Sequence, residues 1–496
     1  MKRVLILVAV VGVVAFGSGA QPALAYDDGP SASIDPGQLL TYPTALAGLG
    51  DTLPTFDPTD VAIAGIPDTA VGINSAPAVA LPDPPPGTTL IVDDDHMQCP
   101  NATFTTINAA VAAALPGYTI KVCPGIYREN VIVPVTKQQL TFLGQTQASD
   151  GRCANPVTPD RKHDSVVQYP YAPGTGANGG SAGFSVQASG VVIDGFIVEP
   201  LTGTGGPTQD GDGVYSSKDV SGTVVQNSII QHNARGVHLF SNGLTESVVR
   251  MNCIRDNNLG PSNTLTGQGI YLDIDFSNAL IEHNFTTLNS SAAMNLYISS
   301  DVTISHNKSL ADSSAVAIFA SSLDSPKGPI EVFYNLATKA TGSTFFIGGA
   351  NDDLHIIDND LRNGAFSGIR FSDLTFVGPL LAPSLDVEVR GNQVQRMGLD
   401  PGSFPSSGIR AGTNSLGDST LARNNSHDNV VDGIRIEAGG NGGNVITLNT
   451  LKHNGEHDCH DDTVGPLTGA TLNTWTNNEG DTENRPDLCK HASTTP

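Results

Sequence analysis

Charge is scarce in this chain. Charged residues make up 15% of its 496 positions, well under the usual quarter, and Gly, Ser, Thr and Asn fill the gap. Positive charge is scarcer still, with 25 Lys and Arg against 49 Asp and Glu and a formal net charge of −24. A surface of that sign excludes nucleic acid or an anionic membrane as a general partner. Long helix formers are few while Gly and β-branched residues abound, which excludes a helical bundle and points to an all-β chain. After the N-terminal stretch no apolar run approaches transmembrane length, so no membrane insertion is expected. None of the six cysteines has the spacing of a zinc knuckle or a redox motif.

The chain opens with Lys2 and Arg3, an apolar stretch from Val4 to Phe16, and Ala23-Leu24-Ala25. That order predicts a signal peptide over 1–25 and a secreted, extracellular protein. Disulfides suit that compartment. Proximity in sequence pairs Cys99 with Cys123 and Cys459 with Cys489, leaving Cys153 and Cys253. Residues 26–88 are rich in Pro, Ala, Asp and Gly, end in "LPDPPPG" and show no periodicity, so they read as a disordered linker or stalk.

Organised structure begins at Thr89. "TLIVDDD" reads as a strand, "FTTINAAVAAALPG" (Phe104 to Gly117) as an amphipathic capping helix, and "TIKVCPGIYRENVIV" as two strands around a Pro-Gly turn. Beyond them an apolar-alternating strand ending in Asn recurs at Asn227, Asn252, Asn284, Asn307, Asn335, Asn359, Asn392 and Asn449, with a looser copy at Asn425. Spacings of roughly 23 to 33 residues are those of a solenoid with loops of varying length. Each unit supplies three short strands, one turn of a parallel β-helix with coils about 4.8 Å apart. The asparagines are predicted to sit in tight turns and bond to one another from coil to coil.

These features carry a resemblance. From Thr89 to Cys489 the chain resembles the secreted right-handed parallel β-helix proteins of the pectate-lyase-like superfamily, a single-stranded coil with an N-terminal capping helix. "FTTINAAVAAALPGYTIKVCPGIYRENVIV" is similar to the start of pectin methylesterases, and "DCHDDTVGPLTGATLNTWTNNEGDTENRPDLC" to the C-terminal cap of bacterial relatives. The resemblance implies 89–496 as one β-helix with its caps, polysaccharide as the partner, and a monomer. It does not name a reaction, because function on a shared fold lives in the site. "LDIDFSNA" faintly echoes the esterases' nucleophile strand and puts Asp273 at that position, but the preceding coil offers His238 where they carry a carboxylate. "TQDGDGVYS" matches only part of the polygalacturonase pattern.

Alternation aligns one strand per coil, with Val214, Val237, Ile270, Met294, Val316, Phe345, Ile369, Ile409 and Ile434 inward. The next residues then form an outward column: Tyr215, His238, Tyr271, Asn295, Ala317, Phe346, Arg370, Arg410 and Arg435. Two residues further on stand Asp273, Tyr297 and Phe319. The expectation is that Tyr271, Tyr297, Phe319 and Phe346 offer stacking faces to sugars while Arg370, Arg410 and Arg435 hold the carboxylates of an acidic, pectin- or uronate-type polymer. The plain alternative is a solvated or loop-covered face. Catalysis, if present, is expected at Asp273 or Asp275 with His238 as proton carrier, in a lyase, hydrolase or esterase. Asp210 and Asp212 form a candidate calcium site. The runs Asp93 to Asp95 and Glu456 to Asp462 have metal-binding composition inside cap-like segments, where a structural role is favoured. A non-catalytic carbohydrate-binding or adhesive protein and a structural cell-surface protein remain the alternatives.

Overall fold

The computed structural model describes residues 89–490 except 156, 171–181, 202–210, 258–266, 321–327, 373, 376–377, 380–382 and 401–405. The expected signal peptide, the linker and Asp210 lie outside the described residues. Among those described, three parallel sheets of 14, 12 and 12 strands run side by side. From Thr119–Val122 onward, consecutive strands of the coil fall in different sheets and each pairs with its counterpart one coil away, a two-stranded antiparallel pair at Leu374–Thr375 and Gly378–Pro379 standing apart. The chain is therefore an all-β parallel β-helix. Apolar side chains line its interior from Val92 to Leu488 as one continuous core.

The capping helix is shorter than its pattern, spanning Ile107–Ala113. Thr106 caps its start, and the Glu129 carboxylate accepts from the Ile107 and Asn108 amides at 2.7 and 2.9 Å. Ile107, Ala110 and Val111 face inward and close the open end of the stack, which would otherwise expose strand edges. The segment after it holds three strands rather than two, Thr119–Val122, Gly125–Tyr127 and Val131–Val133, and so forms a complete first coil. At this cap Arg161 pairs with Asp94 and Asp95 at 3.1 and 2.7 Å, while Asp93 accepts from the Cys99 amide. Those contacts give the acidic run a structural role. Cystines join Cys99 to Cys123, Cys153 to Cys253 and Cys459 to Cys489.

The asparagine ladder exists, with two corrections at its edges. Asn252, Asn284, Asn307, Asn335, Asn359, Asn392, Asn424, Asn449 and Asn478 each pass a side-chain amide bond to the next at 2.8–3.0 Å. Asn227 and Asn425 are not members: Ser228 and Asn424 hold those rungs. The ladder residue does not take the unusual φ. The residue before it does, as at His283, His306, Tyr334 and Asp358, with φ from 53 to 55°. A non-glycine residue there is strained by about 1 kcal/mol or more, and the buried amide that follows offsets this by bonding on both sides. Five positions later a second ladder runs Asn233, Asn257, Asn289 and Asp312. It went unpredicted, although the five-residue offset repeats in the sequence.

Candidate active site

The sheet that runs from Val131–Val133 to Cys459–Asp461, the third sheet in coil order, presents the outward column. Its register pairs Tyr215 with His238, His238 with Tyr271, Tyr271 with Asn295, and so on through Ala317, Phe346, Arg370, Arg410 and Arg435 to His460. That is the alignment read from alternation, which a one-residue slip would have turned inside out.

His238 is the hub of the column's N-terminal half. Its strand, Arg235–Leu239, lies between Asp212–Ser216 and Gln268–Leu272. Close stacking is possible because Gly213 and Gly236 face each other; a β-carbon on Gly213 would stand 2.6 Å from the Gly236 carbonyl oxygen. The imidazole Nδ1 is 3.1 Å from Asp212 Oδ2, and Nε2 is 3.1 Å from Asp273 Oδ2. Only the imidazolium has an N–H for both carboxylates. The ring is clamped by Tyr271, stacked at 5.0 Å, by Phe240 at 5.0 Å and by Tyr215 edge-on at 5.4 Å.

The two carboxylates differ in setting. Asp212 is buried, and its other oxygen accepts from Arg235 Nε at 2.7 Å. Burial raises its carboxyl, but Arg235 and His238 outweigh that and hold it below the ordinary 3.8. Both Asp212 oxygens are thus engaged by Arg235 and His238, while Asp210, its partner in the expected calcium site, lies outside the described residues. Asp273 sits just past its strand, with 19% of its side chain open against 4% for Asp212 and His238. Its second oxygen accepts from the Tyr271 hydroxyl and the Ile274 amide, both at 2.8 Å. Burial pushes it up too, yet the His238 bond and charge, with these two donors, leave it below 3.8. Tyr271 is driven well above 10 by burial and by Asp273, so it stays a neutral donor. Asp275 is exposed in the following turn at φ 59°, and no hydrogen bond ties it to His238 or Tyr271.

Such an array can do specific chemistry. An ionised, partly open carboxylate held against a fixed imidazole is a nucleophile or a base at neutral pH, and a poor general acid. Buried Asp212 positions His238, and the part-exposed Arg235 holds Asp212 in turn. Alternation put Asp273, His238, Tyr215 and Phe240 on this face without foreseeing that the two rings pack on the imidazole, and neither Arg235 nor the bond from Asp212 to His238 was expected. A signal was there: "DGVYS" and "RGVHL" start with opposite charges at one coil position, and Asp212 and Arg235 do pair.

The rest of the column is covered. Tyr271, Tyr297, Phe319 and Phe346 form a buried cluster with Ala292 and Ala317, outside the main core. Arg370 is buried with its guanidinium 5.7 Å over the Phe346 ring. Arg410 is buried and bonds Glu437 at 2.9 and 2.5 Å. Arg435 reaches Asp432 at 3.2 Å, Asp462 at 3.4 Å and Glu437 at 3.7 Å. The column is thus not the open cationic strip that its residue types suggest.

Comparison with known proteins agrees on the architecture. The chain is a right-handed parallel β-helix. A family model described as "Right handed beta helix region" matches residues 177–361. Pectinesterase 1 of Citrus sinensis is 33% identical over 115 residues, which are 22% of this chain and 16% of that protein. The chain thus matches about a sixth of the pectinesterase's length. Among solved structures, the DFA-IIIase of Arthrobacter chlorophenolicus A6 without its lid superposes with a TM-score of 0.50 at 13% identity, covering 79% of this chain and 99% of that one. A mannuronan C-5 epimerase A-module from Azotobacter vinelandii has a TM-score of 0.44 at 13% identity, with 75% and 93% covered. At those identities the structural likeness speaks for the fold alone.

Proposed function

We infer that this protein is an extracellular carbohydrate-active enzyme whose reacting group is the Asp273 carboxylate. The observation that supports this best is the line Asp212–His238–Asp273, in which a chain of contacts of 3.1 Å per link opens to solvent at Asp273. A merely structural ion network needs no such gradient of exposure. Three cystines and the predicted leader support export, and no helix among the described residues is long and apolar enough to cross a membrane. The pectinesterase likeness makes a pectin- or uronate-type polymer the first substrate class to try. The arginine column adds less to that choice than its composition promised, because Arg410 and Arg435 already hold carboxylates of the protein. The test is turnover on a panel of uronic-acid and neutral polymers by the wild type and Asp273→Asn. Turnover that is abolished by the substitution supports the assignment. Tight binding without turnover by the wild type moves the protein to the binding class.

A further inference from the structure

The C-terminal end of the same column carries a second cluster that the proposed chemistry does not use. It lies six strands along the third sheet from Gln268–Leu272, about 29 Å at ~4.8 Å per strand. We propose that Asp432, His457 and His460 bind a divalent transition metal ion of the zinc type.

Three observations point there. First, one ligand atom from each of the three residues lies within 4.8 Å of the others. Asp432 Oδ1 is 3.4 Å from His457 Nδ1 and 3.3 Å from His460 Nδ1. A tetrahedral ion with bonds of about 2.0–2.1 Å has ligand–ligand edges of about 3.3–3.4 Å. The spacing suits an ion at the centre as well as it suits direct contact. Second, His457 Nδ1 is buried with no hydrogen-bond partner, although the Asp432 oxygen is so near. A nitrogen desolvated in this way and aimed off its neighbour is stranded without a ligand. Third, the surroundings are those of a metal-bound histidine. His460 Nε2 lies 3.0 Å from Asp462 Oδ1, a carboxylate behind the ligand ring that it approaches without an aligned hydrogen bond. Asp432 Oδ2 is steadied by Arg435 Nη1 at 3.2 Å and by the Ser407 hydroxyl at 3.4 Å.

The donor set selects the ion. Two imidazoles and one carboxylate suit zinc and its first-row neighbours, whereas calcium takes oxygen ligands almost alone. The nearby Arg435 opposes a cation, but Glu437, Asp462 and Asp432 surround that guanidinium. The scaffold is stiff: His460 follows Cys459 of the terminal cystine, and its strand pairs with Ile434–Ile436. Binding would join the last two coils, so the ion should raise stability as well as occupy the site.

The test uses the full-length secreted protein without an affinity tag, stripped with a chelator. Titration with Zn²⁺ against a chromophoric competitor should show one equivalent bound and a rise in melting temperature. Cobalt(II) should bind with the intense visible absorption of a tetrahedral site. His457→Gln, at a partly exposed residue, should weaken zinc at least tenfold and remove the cobalt band while the far-UV spectrum stays unchanged. His453→Gln, a nearby exposed histidine, should change neither. No stoichiometric zinc, or zinc binding by His457→Gln equal to the wild type, would overturn the proposal. An octahedral cobalt spectrum in the wild type would do the same.

Discussion

Asp312 offers a quantitative test of how the turns are held. It ends the inner ladder at a rung that three preceding coils fill with Asn233, Asn257 and Asn289. Its carboxyl is fully buried and accepts four bonds, from the Asn289 amide and side chain at 2.8 Å each, Thr286 at 2.8 Å and Ser309 at 2.7 Å. Burial pushes it up from 3.8 to about 6 against the pull of those donors. The folded state therefore holds this proton more tightly than the unfolded chain. Stability from this group is fully present below pH about 4 and is lost as pH rises through about 6. Raising a carboxyl from 3.8 to about 6 corresponds to ~3 kcal/mol between its two protonation states. Asp312→Asn has the shape of the protonated form and continues the ladder, and the two hydroxyls can turn to accept from its amide. The expected result is a local gain of up to ~3 kcal/mol at pH 7.5 that disappears by pH 4. Native-state hydrogen exchange at the Asn289 amide reads it, since stacked coils need not unfold as one unit. Faster exchange in Asp312→Asn at pH 7.5 would refute the reasoning, because it would show the charged carboxylate to be the favoured occupant.

Other expectations concern neighbouring parts of the coil. Asn307→Leu removes bonds to Ile281 O, Ser305 O and Asn335 Oδ1 and strands the Asn284 amide; a loss of roughly 3 kcal/mol or more should appear in chemical denaturation, without change in any carbohydrate binding. Arg410→Ala leaves the part-buried Glu437 with only Arg435 at 3.7 Å, so it should destabilise by about 1–3 kcal/mol. Adding Glu437→Gln should recover part of that, whereas an arginine that served only a glycan would show no such rescue. Reducing Cys153–Cys253, which closes a span of 100 residues, should cost about 4–5 kcal/mol on the chain-entropy argument and can be followed by thermal melts of the Cys153→Ser, Cys253→Ser double variant. For any turnover found, the acidic limb of the pH profile should lie below the ordinary 3.8 of an Asp, because His238 and its two other donors keep Asp273 ionised there.

Much of this architecture was legible, and the reasons are physical. Strands have a side-chain period of two, so alternation alone fixed which of Ile270 and Tyr271 faces inward, and the register followed for the whole column. The Asn ladder was legible as a repeat, but its phase slipped by one at Asn227 and Asn425 because each stands next to another polar residue able to fill the rung. The left-handed position could not be read, since Met251, Tyr334 and Leu448 are not residue types that announce a positive φ. Partners within the site were harder. Asp212 and His238 meet across coils through an offset of three residues that strand alternation does not report. Exposure was the least legible property. The arginines and aromatics point away from the core as predicted, yet most are buried, and how variable loops fold over a sheet is not written in strand periodicity.

The central claim, that Asp273 is the reacting carboxylate, is tested most directly by product analysis of the wild type, Asp273→Asn and Asp275→Asn on one polymer that the wild type turns over. Asp273→Asn should lose at least a hundredfold in kcat with its fold and KM little changed, while exposed Asp275→Asn keeps nearly full activity. Equal activity of wild type and Asp273→Asn, or loss confined to Asp275→Asn, would contradict the account.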